Sequence, residues 1–138
     1  MGFDLASESG TNFQVRSSYW SFLLYLAQEY GWKMEGTRAP EGVDPTGWDM
    51  GYASNDGQVV SNKDASSLAD ALERAVVDPK RAEAAGRVSK RMAADVRSLA
   101  RSEGVELDDY GDADLYEIDE SGIRDLIHFC RRGSFSVS

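Results

Sequence analysis

The segment SYWSFLLYLAQEY, residues 18–30, constrains what this chain can fold into more than any other. Tyr19, Phe22, Leu23, Leu26, Ala27 and Tyr30 recur at helical spacing and make one apolar stripe. Trp20 and Leu24 add apolar surface beside it. So apolar a helix must be covered, which predicts a place at the centre of the core. Ser17 or Ser18 is the expected N-cap. Gly31 is expected just past the helix end, with Trp32 packing back as the apolar residue of a Schellman motif.

Other helices follow by the same spacing. Ala65, Leu68, Ala69, Leu72, Ala75 and Val76 form the stripe of a second helix. Ser61-Asn62-Lys63-Asp64 reads as its capping box, with Ser61 accepting from the Asp64 N–H and Asp64 reaching back. Asp78-Pro79 stops that helix and caps the next, since proline suits a first turn. The third helix is expected from about Lys80 to about Ser102, with Ala85, Val88, Met92, Val96 and Leu99 on its apolar side. A fourth starts near Asp119 or Ser121, carries Ile123, Leu126, Ile127 and Cys130 on one face, and closes at Gly133.

Between the helices the pattern alternates. Phe3-Asp4-Leu5 and Phe13-Gln14-Val15 read as short strands, as does Leu115-Tyr116-Glu117-Ile118. The tail Phe135-Ser136-Val137 alternates like residues 13–15 and is read as their partner in a small sheet. Asp56-Gly57 is a favoured turn pair, expected to join Tyr52–Asn55 to Gln58–Val60 as a hairpin. The expectation is one α+β domain over residues 1–138: mostly helical, about four helices, and a few short strands forming a small sheet or hairpin. The length suits a single core, and 41% hydrophobic with 28% charged residues is ordinary globular composition.

Charge and cysteine content narrow the function classes. The net charge is -9, which disfavours nucleic acid, because such binding rests on neutralising phosphates. Cys130 is the one cysteine, so neither an intrachain disulfide nor a cysteine-based zinc site is expected. No basic-then-apolar leader, lipidation signal or membrane-length run is read. The expected place is the cytoplasm.

The charges segregate. Residues 80–101 hold seven bases against two acids, a net of +5, leaving about -14 for the rest. Residues 102–123 hold nine acids and no base. The basic helix face is the one candidate for docking an anionic partner, nucleic acid included. The simpler reading is favoured: it offsets the chain's own acidic segment or is a solvated face. The acidic run DDYGDADLYEIDE fits no calcium-loop register, since Tyr110 or Tyr116 falls where an oxygen ligand is needed. No metal or cofactor is expected.

No catalytic constellation stands out. His128, the one histidine, is placed with Arg124, Asp125, Arg131 and Arg132, away from the apolar stripe. Cys130 is two residues on and does not face it on a helix, so a Cys–His pair is excluded. Phosphate-loop, dinucleotide-loop, nucleophile-elbow and metalloprotease motifs do not occur. The better candidate is the Gly/Pro-rich loop of residues 33–51 with Trp32, Trp48 and Tyr52 around it. Trp48, Tyr52, Asn55, Asp56 and Arg38 are the candidate binding residues, with Asp49 beside them, because aromatics next to amides and carboxylates suit ligand or protein contact. The simpler reading is that the tryptophans plug the loop onto the core.

YWSFLLYLAQEYGWKMEGT, YASNDGQVVSNKDASSLADALERAV and HFCRRGSFSV together resemble a group of small bacterial proteins. Its marks are an aromatic first helix, a Gly-Trp…Gly-Thr segment, an Asn-Asp-Gly-Gln turn and a Phe-Cys…Phe tail. The resemblance implies a bacterial, intracellular, single-domain protein and brings no established activity. The expected function is a non-enzymatic interaction protein, an accessory or immunity-type partner that occludes another protein. The alternative is a small-ligand binder or enzyme using the Trp48–Asp56 region.

Overall fold

The computed structural model describes residues 2–48, 50–102 and 118–138. Strands β1 (Gly2–Ser7) and β2 (Asn12–Arg16) lead into helix α1 (Ser17–Glu29). A long loop with a single 3-10 turn (Pro45–Gly47) follows. Then come β3 (Val59–Val60), α2 (Asn62–Val77), α3 (Arg81–Ser102), α4 (Glu120–Cys130) and β4 (Phe135–Val137). The fold is α+β, with four helices and a four-stranded antiparallel sheet among the described residues, in the order β2-β1-β4-β3.

One face of the sheet packs on the core, and the other is open and mostly polar, with Val59 exposed on it. Phe3 and Leu5 of β1, Val60 of β3, and Phe135 and Val137 of β4 are buried against the helices. Phe13 and Val15 of β2 are partly buried on the same core. Asp4, Asn12, Gln14 and Arg16 alternate onto the open face. The tail therefore does join a sheet, but not beside β2 as expected. β4 lies between β1 and β3, with Leu5 opposite Val137 and Val60 opposite Phe135. Central placement buries both of its apolar side chains, which an edge beside β2 would not do as fully.

Helix α1 is more deeply placed than its stripe alone requires. Trp20 and Leu24 are buried along with Phe22, Leu23, Leu26 and Ala27, because sheet and helices cover α1 from different sides. Trp20 meets Phe135 edge to face at 6.2 Å between ring centroids. Its N-terminus differs from expectation: Arg16 occupies the cap position and no side chain caps it. Its C-terminus is as expected. The Gly31 N–H donates to the Gln28 carbonyl and the Trp32 N–H to the Ala27 carbonyl, the two bonds of a Schellman motif. Trp32 is buried.

The stripe of α2 is wholly buried, and Ser61 Oγ accepts from the Asp64 N–H at 3.1 Å. Asp78 Oδ1 accepts from the Lys80 N–H, so Asp78-Pro79 form the turn before α3, which begins two residues beyond the proline. On α3, Ala84, Ala85 and Val88 are buried and Met92 is half-buried; the side chains of Val96 and Leu99 lie outside the description. On α4, Ile123, Leu126, Ile127, Phe129 and Cys130 are buried and His128 is exposed. Burial pushes the Cys130 thiol up to about 12, so it stays a neutral core group. The acidic run up to residue 117 and residues 115–117 of the strand expected at Leu115–Ile118 lie outside the described residues; Ile118 is described and is not in a strand.

Candidate functional site

The expected hairpin at Asp56-Gly57 does not form. Residues 52–58 follow a series of bends, and β3 pairs with β4 instead. Gly57 takes the positive φ of a turn, 86°, but its N–H donates to the Val137 carbonyl. Gln58 holds the bends in place. Its buried side chain accepts from the Asp56 N–H at 3.0 Å and donates to the Ser54 carbonyl at 2.6 Å. One amide thus satisfies from inside two backbone groups of the bend. Asn55 and Asp56 are left exposed on the outside of the turn.

Asp64 was expected to reach back over the start of α2, and it points elsewhere. Its buried carboxylate accepts from the Glu35 N–H at 3.0 and 3.1 Å, the Gly36 N–H at 3.1 Å and the Tyr52 hydroxyl at 2.5 Å. This carboxylate fastens the start of the 33–51 loop, Tyr52 and the first turn of α2 to one another. It stands at the positive end of α2, which favours the charge. Burial, then the bond to Asp64, hold the Tyr52 proton well above the ordinary tyrosine range. An exposed Lys63–Glu35 ion pair spans the same joint at 2.5 Å.

The loop then closes on itself. The Trp48 indole N–H donates to the Thr37 carbonyl at 2.8 Å, and the Thr37 N–H donates to the Met50 carbonyl at 3.0 Å. Gly36 has φ 87°, and a Cβ there would meet the Met50 carbonyl oxygen at 2.7 Å. Only glycine permits so close an approach. Met50 itself has φ 63°, the one non-glycine residue with positive φ among those described.

The five sequence-derived candidates therefore separate. Tyr52 is core: it is 1% exposed, stacks on Trp32 at 6.2 Å, and receives the Trp20 indole N–H on its carbonyl at 2.7 Å. Trp48 is half-buried and seals the loop. Arg38, Asn55 and Asp56 are exposed. No hydrogen bond or ion pair among the described residues joins any two of the five. Asp49 is outside the description. Two residues missed by sequence reasoning are Met34 and Met50, exposed by 39% and 53% on this loop. Two more are Gln58 and Asp64, polar side chains buried to 1% exposure beneath it. A shallow open depression lies away from the loop, at Gly2, Asp4, Gln14 and Arg16.

The basic face of α3 is partly used inside the molecule. Arg87 and Arg91 both pair with Glu29 of α1, at 3.2 and 3.5 Å. Arg91 also lies over the Tyr25 ring, 5.3 Å from its centroid. The described partner is thus α1, and residues 103–117 of the acidic segment lie outside the described residues. No cluster of three metal-ligating side chains occurs among the described residues, and no described helix is long and apolar enough to cross a membrane. Comparison with protein-family models, curated proteins and solved structures finds no match.

Proposed function

We propose that this chain is a non-enzymatic, cytoplasmic interaction protein that engages a protein partner through the outer surface of the 33–51 loop. Met50 carries the reading. Its left-handed backbone costs a non-glycine residue about 1–2 kcal/mol. Its side chain is 53% exposed, where an apolar group gains nothing until something covers it. Met34 is exposed on the same loop, and Arg38 adds a charge. Methionine and arginine are enriched at interface centres, and methionine adapts its shape to what it meets. The Asp64 fastening and the Trp48–Thr37 bond pre-order the loop, which lowers the entropy lost on binding. An accessory or immunity-type role, occluding the partner's surface, fits a fastened loop with exposed methionines near both its ends. A lone, buried thiol suits a reducing compartment.

The ligand or enzyme alternative has less behind it. The Tyr52 hydroxyl and the Trp48 N–H are both engaged, and the open depression lies elsewhere. The test is a pull-down from the native host with wild-type and Met34→Asp/Met50→Asp baits, both shown folded by circular dichroism. The expected result is a stoichiometric partner held by the first and lost by the second. A partner held equally by both, or none at all, sinks the proposal. A thermal shift in a small-molecule screen that Trp48→Ala abolishes would favour the alternative.

A further inference from the structure

Strand β2 is an edge of the sheet among the described residues, and its one charged side chain, Arg16, stands at its last position. It is five residues long, contains no proline or lysine, and pairs with β1 in continuous register from Gly2–Arg16 to Ala6–Asn12, without a bulge. Natural edges are normally blunted by such devices, because unpaired backbone groups recruit another strand. The other edge, β3, is only two residues long.

The outward-facing groups can be named. Asp4 and Ser138 exchange both backbone hydrogen bonds, so the Asp4 N–H and carbonyl point toward β4. Its neighbours Phe3 and Leu5 then point toward β2, where they face Val15 and Phe13. The Ser7 N–H donating to the Thr11 carbonyl has the same phase. Hence Asn12 and Gln14 direct their N–H and carbonyl groups away from the sheet, where no described residue pairs with them, while the carbonyl of Arg16, the cap residue of α1, serves that helix.

We propose that β2 pairs antiparallel with β2 of a second copy of this chain, about a two-fold axis at Gln14. The sequence Asn12-Phe13-Gln14-Val15-Arg16 is self-complementary in that register. Gln14 faces its own copy and exchanges backbone hydrogen bonds with it. Arg16 faces the uncharged Asn12, so no like charges oppose. Phe13 faces Val15 on the helix-covered side, where both are only partly buried, and each covers what the other leaves open. Polar residues meet on the open side and apolar residues on the core side, which continues the sheet across the axis. This surface is distinct from the 33–51 loop and does not depend on it.

Sedimentation of the full chain from micromolar to millimolar concentration tests the pairing. The wild type is expected to move from monomer to dimer. Gln14→Lys places two ammonium groups opposite each other and is expected to stay monomeric while folded, since that side chain is exposed. Gln14→Pro removes the outward N–H without touching the β1 ladder, and is expected to do the same. Mixing Gln14→Lys with Gln14→Glu is expected to restore a heterodimer. A wild type monomeric throughout, a dimer that survives both the Lys and Pro variants, or a mixture that stays monomeric overturns the proposal.

Discussion

The Asp64 side chain joins three stretches of the chain that lie apart in sequence. A buried carboxylate is tolerable only when its oxygens are saturated with donors, and here two backbone N–H groups and a hydroxyl supply them. Asp64→Asn keeps the size but replaces an acceptor with a donor that faces other donors. It is expected to destabilise by roughly 3 kcal/mol, and Tyr52→Phe, which removes one donor, by about 1.5 kcal/mol. Urea unfolding beside the exposed control Asp125→Asn checks both; a loss no larger than the control's would contradict the hub. Met50 works in the opposite sense. Met50→Gly relieves the left-handed backbone and is expected to raise stability by up to about 1 kcal/mol while weakening any partner. A destabilised Met50→Gly would show that the exposed side chain matters to the fold itself.

The helices are tied at their ends. The Tyr30 hydroxyl, at the end of α1, donates to Asp78 at the corner between α2 and α3, at 2.5 Å. Burial first, then the Asp78 bond, raise the Tyr30 hydroxyl from 10.0 to about 12. The folded state therefore holds a proton that the unfolded chain has already released. The associated stability is complete below pH 10.0 and is lost as pH rises through about 12. Asp78 is held below its ordinary value of 3.8 by the Tyr30 hydroxyl and the Lys80 N–H. Its contribution is present above that value and lost as pH falls through the depressed one. Tyr30→Phe should flatten both limbs in denaturant titrations at stepped pH; unchanged slopes would mean the link carries no stability. At the other end of α2, Ser61→Ala is expected to cost about 1 kcal/mol, the ordinary value of an N-cap.

For the whole molecule, β4 is the closing piece. It pairs with β1 at one end of the chain and with β3 in the middle, and it buries Phe135 and Val137. Phe135 touches both Trp20 of α1 and Phe129 of α4. Removal of residues 135–138 is expected to abolish the cooperative unfolding transition rather than shift it, because β1 and β3 lose their shared partner. Calorimetry showing a single sharp transition in the truncated chain would refute this. The exposed ion pairs, among them Arg131 with Asp70 and Glu73, are expected to matter little by comparison.

Periodicity alone determined the helices, because a stripe at 3.6-residue spacing has one way to be buried. The faces of α2 and α4, the Schellman end of α1 and the Ser61 cap were all legible in that way. Local patterns also marked the strands at residues 3–5, 13–15 and 135–137. Which strands pair was decided only in three dimensions, since alternation assigns a face but not a neighbour. The same holds for Asp56-Gly57, where β3 pairs with β4 and a buried Gln58 holds the bends that replace the expected hairpin. It holds for Asp64, whose local role as a helix-start acid yielded to backbone donors from residues 35 and 36. Among the candidate residues, tertiary burial drew Tyr52 into the core, and it left Met34 and Met50 of the same loop outside. Composition cannot foretell that exchange, because an aromatic and a methionine are equally apolar until the fold decides which one water reaches.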